Sequence, residues 1–198
     1  MSVRTAVLVS GGGTNLQALI DASCAGKMPH VDICLVLSNR ADAYALKRAE
    51  RSGIPSAVCQ REKGEAREAF EARMLEVLRA HDVEMLILAG FMAILSKEFV
   101  QNYPDRILNV HPSLIPSFCG KGFYGLHVHE AALACGVKVT GATVHLVNEI
   151  PDGGRILLQK AVEVQPGDTP EVLQKRVMVE AEWKLLPQAI AMVCNGEA

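Results

Sequence analysis

The chain alternates between short runs of aliphatic, often β-branched residues and longer segments with helical periodicity, and this alternation limits the folds open to it. The apolar runs predict buried strands, whereas the longer segments repeat apolar residues three and four positions apart, as one face of a helix does. We predict strands at residues 5–9, 31–37, 56–59, 85–89, 107–110, 139–147 and 155–164, and helices at 14–25, 41–52, 65–81 and from 169 onward. Strands that are apolar on both faces and separated by helices indicate a parallel sheet covered on both sides.

The last two predicted strands differ from the others. Residues 139–147 alternate between apolar and polar side chains, and the turn-like Pro-Asp-Gly-Gly at 151–154 leads into the next strand. A short glycine-rich link of this kind joins antiparallel neighbours. The predicted fold class is therefore α/β, with a mostly parallel, twisted, Rossmann-like sheet, helices on both faces and an antiparallel extension in the C-terminal half. We expect a single domain over residues 1–198 and a bend or break of the final helix near Pro187.

Charge and hydropathy exclude several classes of protein. Lys and Arg number 20 against 22 for Asp and Glu, whereas a nucleic-acid-binding domain normally carries a basic excess or stripe. The longest apolar run, Met85 to Leu95, is too short to cross a bilayer. The N-terminus enters a predicted strand without the apolar region of a signal peptide. We therefore expect a cytoplasmic protein that binds small molecules, not nucleic acid or membrane, as a monomer or a homodimer.

The glycine-rich segment between the first strand and the first helix is a candidate anion site. It reads Ser-Gly-Gly-Gly-Thr-Asn over residues 10–15, and glycines let backbone N–H groups face an anion at the positive end of a helix. A dinucleotide-binding fingerprint fails because Leu16 stands where a glycine is needed, and no Lys-Ser/Thr pair follows as in a P-loop. The segment is then a cradle for a phosphate monoester, with Thr14 and Asn15 adding side-chain hydrogen bonds, or only a tight strand-to-helix turn.

Polar residues at the end of a buried strand form the second candidate site. Asn109 and His111 are two positions apart, so both point to one side of the strand. They lie at its carboxyl end, where open α/β sheets bind their ligands, although a hydrogen-bonded structural histidine is the alternative. Asp152 lies in the later glycine-rich turn and is only a turn residue unless a histidine is its partner.

Two further sets of residues have weaker patterns. Three histidines and a cysteine match no zinc-ligand spacing, so no metal site is expected. These residues are Cys119, His127, His129 and His145. By spacing alone, Glu182 is expected to be a solvated charge and Trp183 a packed aromatic residue on the last helix.

Four segments occur in the order seen in one enzyme family. They are Ser-Gly-Gly-Gly-Thr-Asn-Leu-Gln from residue 10, Ala-Gly-Phe-Met-Ala-Ile-Leu-Ser over 89–96, Asn-Val-His-Pro-Ser-Leu-Ile-Pro over 109–116 and Val-Asn-Glu-Ile-Pro-Asp-Gly-Gly over 147–154. In this order they resemble the phosphoribosylglycinamide (GAR) formyltransferases, the folate-dependent enzymes of purine biosynthesis. The Asn-x-His pair and the later Asp are shared by a wider formyltransferase superfamily. The glycine-rich loop and the length of 198 residues favour the GAR branch over relatives that carry an additional domain.

The resemblance implies one formyltransferase domain with a phosphate-binding half at about residues 1–105 and a catalytic and folate half at about 106–198. The implied catalytic residues are Asn109, His111 and Asp152. The implied contacts to GAR are Gly13, Thr14 and Asn15 at the phosphate, Glu182 at the ribose and Gly90 beside the glycinamide. The implied folate contacts are Arg67, Met92, Ala93, Ile94, Leu95, Asn109, Asn148, Glu149 and Asp152. The co-substrate would be 10-formyltetrahydrofolate, and no metal would be required.

The chain departs from the family pattern in three places. Ala93 stands where many members have Arg, and residues 117–125 form a longer loop than is usual. Trp183 replaces the usual His after Glu182, and one extra residue lies upstream of that Glu.

The implied chemistry explains the residue types. An amine attacks the formyl carbon, and Asn109 and a protonated His111 donate to the oxygen on which negative charge develops. Asp152 holds the imidazolium and helps to move the amine proton to the departing folate nitrogen. Two alternatives remain: a formyltetrahydrofolate hydrolase, which would need no phosphate loop, and a non-catalytic phosphometabolite-binding module, which would need no catalytic set.

Overall fold

The computed structural model describes residues 2–197 and contains one seven-stranded sheet. The strands are β1 Val3–Val9, β2 Val31–Ser38, β3 Ser56–Val58, β4 Met85–Leu88, β5 Ile107–His111, β6 Val139–Leu146 and β7 Ile156–Glu163. Their order across the sheet is β3-β2-β1-β4-β5-β6-β7. The pairs from β3 to β5 are parallel, whereas β5–β6 and β6–β7 are antiparallel. The predicted α/β class with an antiparallel extension is therefore confirmed.

Helices cover both faces of the sheet because successive residues of the central strands point in opposite directions. The helices are α1 Thr14–Cys24, α2 Tyr44–Arg51, α3 Arg67–Ala80, α4 Lys97–Val100, α5 Leu126–Cys135, α6 Pro170–Val177 and α7 Trp183–Asn195. In β1, Val7 and Val9 pack in the core formed with α1, α2, α6 and α7. Ala6 and Leu8 belong to the opposite core, which α3 and α4 close. No helix within residues 2–197 has the length and apolar character needed to span a membrane.

Two helices were missed by the sequence analysis. The helix α4 is a single turn, begun by Ser96, whose side chain accepts a hydrogen bond from the backbone N–H of Phe99. The helix α5 has apolar or small residues on most of its surface, so it shows no amphipathic stripe. It begins after Gly125 and ends at Gly136, whose φ of 74° suits a glycine that terminates a helix.

The expected break near Pro187 is displaced. Pro187 lies inside α7, and the irregularity is a π-helical turn at Met178–Glu182. Proline lacks an N–H group and its ring crowds the carbonyl four residues earlier, here that of Trp183. The π-helical turn lies before Trp183, outside the turn that Pro187 affects. A π-helical turn accommodates one additional residue in a helix, which fits the extra residue noted upstream of Glu182.

The functional edge of the sheet follows from the strand order. The chain runs from β1 outward to β2 and β3, and then returns to place β4 on the other side of β1. Such a switch point leaves a crevice at the carboxyl ends of β1 and β4, where α/β proteins bind ligands. The loops after β1 and β4 meet there, because Ser10 donates its backbone N–H to the carbonyl of Gly90 at 3.1 Å.

Candidate active site

The glycine-rich loop lies at this crevice, between β1 and α1. Gly13 is the N-cap of α1 and has a φ of 69°. A Cβ at Gly13 would lie 2.6 Å from the Cβ of Ala45 in α2, so both the backbone conformation and the close approach of α2 require glycine. Because Gly13 has no side chain to cap α1, the first backbone N–H groups of the helix are available to an external anion.

Arg48 fastens this loop to α2 and was not found by the sequence analysis. Its Nε donates to the carbonyl of Gly12 at 2.8 Å, and its Nη1 donates to Oε1 of Gln17 at 3.0 Å. The guanidinium therefore adds a positive charge beside the N-terminus of α1. Arg48 is 36 residues from Gly12 in sequence, so no local pattern reveals the contact.

The side chains of Thr14 and Asn15 have partners within the protein. Thr14 directs its hydroxyl toward the sulfur of Met178 at 4.0 Å. Asn15 is buried, and its Nδ2 donates to Oε2 of Glu182 at 2.8 Å. One N–H of the Asn15 amide is therefore used by Glu182, and the backbone N–H groups at the start of α1 remain for an anion.

Glu182 is buried, which overturns the expectation from spacing that it is a solvated charge. Glu182 is the last residue of the π-helical turn, and its carboxyl group lies against the side chain of Asn15. Burial raises the pKa of Glu182 to about 7, although the hydrogen bond from Asn15 opposes that rise. Its second oxygen, Oε1, is buried and has no hydrogen-bond partner within residues 2–197.

Asn109, His111 and Asp152 come together although Asp152 is more than 40 residues from the other two. Asn109 Nδ2 lies 3.4 Å from Asp152 Oδ1, and His111 Nδ1 lies 3.6 Å from Asp152 Oδ2. Asp152 has a φ of 55°, a left-handed conformation that aspartate tolerates in turns. The turn between β6 and β7 therefore delivers a carboxylate to the end of β5.

The surroundings keep Asp152 ionised. Burial raises the pKa of Asp152. The contact with His145, the nearby charge of His111 and the N–H of Gly120 together lower it by more, so the net pKa lies below the usual value. Gly120 donates its backbone N–H to Oδ2 of Asp152 at 2.8 Å. The carboxylate is thus a negative charge that faces two histidines and an amide at the edge of the sheet.

His145 belongs to this cluster and was considered in the sequence only as a metal ligand. Its Nε2 lies 3.1 Å from Nδ2 of Asn109 and 3.5 Å from Oδ1 of Asp152. Its place follows from the antiparallel pairing: β6 runs back beside β5, so a polar residue of β6 that faces the same side meets Asn109. That register is set by tertiary contacts and cannot be read from spacing.

The long loop at residues 117–125 covers the cluster. His111 Nε2 is 2.8 Å from the carbonyl oxygen of Phe118, a residue with a φ of 50°. Together with the bond from Gly120 to Asp152, this contact ties the loop to both members of the pair. In this conformation Nε2 of His111 is taken by a backbone acceptor, so a substrate oxygen reaches it only if Phe118 moves aside.

The loop after β4 carries four of the nine residues assigned to folate binding, at positions 92–95. Met92 donates its backbone N–H to Oγ of Ser10 at 2.8 Å, which holds this loop against the glycine-rich loop. Met92 and Ile94 are exposed, at 52% and 58%, whereas Leu95 is buried. Ile150, on the turn that carries Asp152, is 60% exposed. Large apolar side chains are thus exposed both on the loop after β4 and on the turn that carries Asp152, as in sites for aromatic ligands.

A buried carboxylate joins this loop to α3. Glu71 accepts a hydrogen bond from the backbone N–H of Ser96 at 2.8 Å and another from its hydroxyl. It also accepts from Nε of Arg67 at 3.1 Å, so the guanidinium is held at the first turn of α3. Arg67 and residues 92–94 line one cleft of about 550 Å³.

The remaining folate positions lie on the turn after β6. Asn148 Oδ1 accepts from the backbone N–H of Ile150 at 2.9 Å, and its Nδ2 donates to the carbonyl of Gly153 at 3.3 Å. These bonds shape the turn that presents Asp152, while Glu149 is exposed.

The histidines and the cysteine singled out in the sequence are not assembled around a common point. His127 is exposed and pairs with Glu130 at 2.9 Å, whereas His129 is fully buried. Burial and the nearby charge of His111 lower the pKa of His129 to about 4. Residues 2–197 contain no group of three or more side chains placed to hold a metal ion.

Comparison with known proteins gives a consistent family. A family model described as formyl transferase matches residues 3–190. The phosphoribosylglycinamide formyltransferase of Haemophilus influenzae is 39% identical, over 98% of this chain and 88% of its own length. The trifunctional purine biosynthetic protein adenosine-3 of Gallus gallus is 45% identical over 98% of this chain, which spans only 19% of that longer protein.

Solved structures agree with the sequence relatives. The crystal structure of glycinamide ribonucleotide transformylase 1 from Symbiobacterium toebii superposes with a TM-score of 0.92 at 42% identity, and the match covers 98% of this chain and 89% of that one. The chain belongs to the formyl transferase family, on its phosphoribosylglycinamide formyltransferase branch.

Proposed function

We propose that this chain transfers a formyl group from 10-formyltetrahydrofolate to the amino group of GAR, as a cytoplasmic enzyme of purine biosynthesis. The observation that carries the proposal is the contact of Asp152 with both Asn109 and His111, at the same sheet edge as an uncapped helix N-terminus. A polar cluster of this composition suits acyl transfer, and the helix N-terminus suits a phosphate. The phosphate half and the catalytic half of the chain would thus act as one formyltransferase domain.

GAR would bind between the glycine-rich loop and the cluster. Its phosphate would take the backbone N–H groups at the start of α1, beside the charge of Arg48. Its ribose hydroxyls would donate to Oε1 of Glu182, the oxygen that has no partner within residues 2–197. Gly90, in the loop after β4, accepts from the backbone N–H of Ser10 at the crevice and would lie beside the glycinamide.

The residues around the cluster fit a folate. The exposed apolar side chains of Met92, Ile94 and Ile150 would offer surface to an aromatic ring system. Arg67 supplies a positive charge at the adjoining cleft, which suits the carboxylates of a folate tail. When bound, 10-formyltetrahydrofolate supplies the formyl group. Ala93, Leu95, Asn148 and Glu149 would complete the folate contacts, chiefly by shaping the two loops.

The chain's own residues then supply hydrogen bonds and a proton route. As the amine attacks, Asn109 Nδ2 donates to the formyl oxygen, and His111 donates to it once Phe118 has withdrawn. Asp152, ionised and next to His111, accepts the proton that the amine loses and allows it to pass to the leaving nitrogen. No serine or cysteine nucleophile is needed, because the amine itself forms the new bond to the carbon.

Two observations weigh against the alternatives. A hydrolase would have no use for an anion site at the start of α1, where no side chain of Gly13 caps the backbone N–H groups of the helix. A non-catalytic binding module would have no need to keep Asp152 ionised between two histidines at a buried position.

The direct test is an assay of the purified chain with 10-formyltetrahydrofolate and GAR. We expect formyl-GAR to form and the folate to lose its formyl group in equal amounts. In the absence of GAR, water should be a poor acceptor. Release of formate at the same rate with and without GAR would show a hydrolase, and binding of both ligands without turnover would show a binding module.

A further inference from the structure

Two successive carbonyl groups of the glycine-rich loop are held by α2. The carbonyl oxygen of Gly11 accepts the backbone N–H of Ala45 at 3.0 Å. The carbonyl oxygen of Gly12 accepts Nε of Arg48 at 2.8 Å. Both peptides are trans, and the C=O and N–H groups of a planar trans peptide point in opposite directions. The N–H groups of Gly12 and Gly13 therefore point away from the donors on α2.

These two N–H groups are open to a ligand. Neither has a hydrogen-bond partner within residues 2–197. Gly12 is exposed, and Gly13 is partly exposed in a left-handed conformation, with a φ of 69° and a ψ of 34°. Successive N–H groups in such a turn form a concave site for an anion. A phosphate can therefore reach both groups without displacing an internal hydrogen bond.

The guanidinium of Arg48 is itself fixed on two further sides. Its Nη1 donates to Oε1 of Gln17 in α1 at 3.0 Å, and its carbon lies 5.1 Å from the centre of the Tyr44 ring. The planar fork of an arginine thus reaches the loop and α1 at once, which a single ammonium group cannot do. Arg48 connects α1, α2 and the glycine-rich loop.

We propose that Arg48 is a positioning residue for GAR: its bond to the carbonyl of Gly12 holds the N–H of Gly13 toward the phosphate. This inference rests on the proposed function, because it concerns the phosphate of GAR. Without Arg48 the peptide between the two glycines is free to rotate, since glycine takes positive and negative φ about equally. Rotation would turn the carbonyl oxygen, which carries a partial negative charge, toward the phosphate.

The test uses three variants of the full chain. Arg48→Met removes the charge and the donors but keeps an unbranched side chain. Arg48→Lys keeps the charge and the aliphatic stem but loses the fork that reaches Gly12 and Gln17 together. Arg51→Met is the matched control, because Arg51 also lies over the Tyr44 ring, at 5.7 Å, but donates to the Tyr44 hydroxyl instead of the loop.

Three measurements are made on each variant. Calorimetric titration with GAR gives its Kd without turnover, and titration with the nucleoside of GAR, which lacks the phosphate, isolates what the phosphate contributes. Steady-state kinetics gives kcat and the KM for each substrate. Thermal unfolding shows which variants are folded, and Arg48→Lys carries the same test if Arg48→Met does not fold.

We expect Arg48→Met to raise the Kd and the KM for GAR by about 10- to 100-fold, the effect of one hydrogen bond to a charged group. The values of kcat and of KM for the folate should change by less than about twofold, as when only ground-state binding is lost. Arg48→Lys should raise the Kd for GAR by at least about fivefold despite its charge. Arg51→Met should stay within about twofold of the wild type, because its charge is exposed and screened. The Kd for the nucleoside should be the same in all four proteins.

Three results would overturn the inference. An unchanged Kd for GAR in a folded Arg48→Met variant would show that the loop keeps its shape unaided. Wild-type affinity in Arg48→Lys would show that only the charge matters. Equal losses for GAR and for its nucleoside would show a general distortion of the site.

The proposed function fails by a different result. A wild type that binds GAR but does not transfer formyl to it would overturn the transferase, whereas the Kd values of the Arg48 variants would still decide the role of this residue. A wild type that transfers formyl normally, with Arg48 variants of unchanged GAR affinity, would overturn only the role of Arg48.

Discussion

Asn15, in the first turn of α1, donates a hydrogen bond of 2.8 Å to the carboxyl group of Glu182, which is 167 residues later in the chain. The bond ties the N-terminus of α1 to the π-helical turn that precedes α7. The bond therefore keeps the proposed phosphate site and the proposed ribose site at a fixed distance from each other. The partner carboxyl group is buried, so its ionisation affects both stability and binding.

The first prediction concerns the pH dependence of stability. The pKa of Glu182 is raised from 4.5 to about 7 in the folded chain, so its favourable contribution is complete below about pH 4.5 and is lost as the pH rises through about 7. Glu182→Gln cannot ionise but still accepts from Asn15. It should match the wild type near pH 4.5 and exceed its free energy of unfolding by up to about 3 kcal/mol at pH 8.

Urea unfolding from pH 4.5 to 8 measures this difference. Glu180→Gln is the control, since Glu180 is an exposed acid of the same π-helical turn and should leave the pH profile unchanged. A constant difference between wild type and Glu182→Gln across this range would contradict the buried ionisation. In the transfer assay, Glu182→Gln should raise KM for GAR and leave KM for the folate unchanged.

The second prediction tests the glycine-rich loop. Gly13→Ala places a Cβ 2.6 Å from that of Ala45 and forces a left-handed backbone, which alone costs about 1–2 kcal/mol. We expect a loss of stability and a large increase in KM for GAR. Gly12→Ala meets no atom within 4 Å and should behave nearly like the wild type. Equal effects of the two changes in steady-state kinetics would show that the loop is an ordinary turn.

The third prediction concerns the charge of Asp152. Because its pKa is lowered, Asp152 stays ionised through the neutral range, and its function is lost only when the pH falls through that lowered value. Asp152→Asn keeps a residue that tolerates the positive φ but removes the charge and the proton acceptor. The value of kcat should fall by about 10²- to 10⁴-fold with ligand binding retained.

Asp105→Asn is a fitting control for this change, because Asp105 also has a positive φ, 54°, and lies outside the site. Calorimetric titration with GAR and with a folate distinguishes loss of chemistry from loss of binding. If the activity of Asp152→Asn were close to that of the wild type, Asp152 would be only a turn residue.

The fourth prediction concerns the folate cleft. Arg67→Gln removes the charge that Glu71 holds at the first turn of α3, and it should raise the Kd for the folate by several-fold with little effect on the Kd for GAR. Arg79→Gln, in the last turn of the same helix and bonded to Asn102, is the control. Equal folate affinities for the two variants, measured by equilibrium titration, would exclude a role for Arg67.

Local patterns account for the sheet and part of the site. The apolar runs of β1 and β4 identify buried parallel strands because both faces are covered, and Asn109 and His111 stand out because they are polar at the end of such a strand. The helix α5 was missed because it lacks an amphipathic stripe, and the break assigned to Pro187 lies instead in the π-helical turn that ends at Glu182. These errors arise where tertiary packing, and not the helix's own pattern, decides the conformation.

The sequence by itself determined the order of the seven strands, the glycine-rich loop and the polar pair at the end of β5. These depend on side-chain periodicity and backbone preference, which act over a few residues. Only the tertiary structure decided that Glu182 is buried against Asn15 and that His145 meets Asn109. Burial and hydrogen bonding between residues far apart in the chain depend on strand register and helix packing, and no local pattern carries that information.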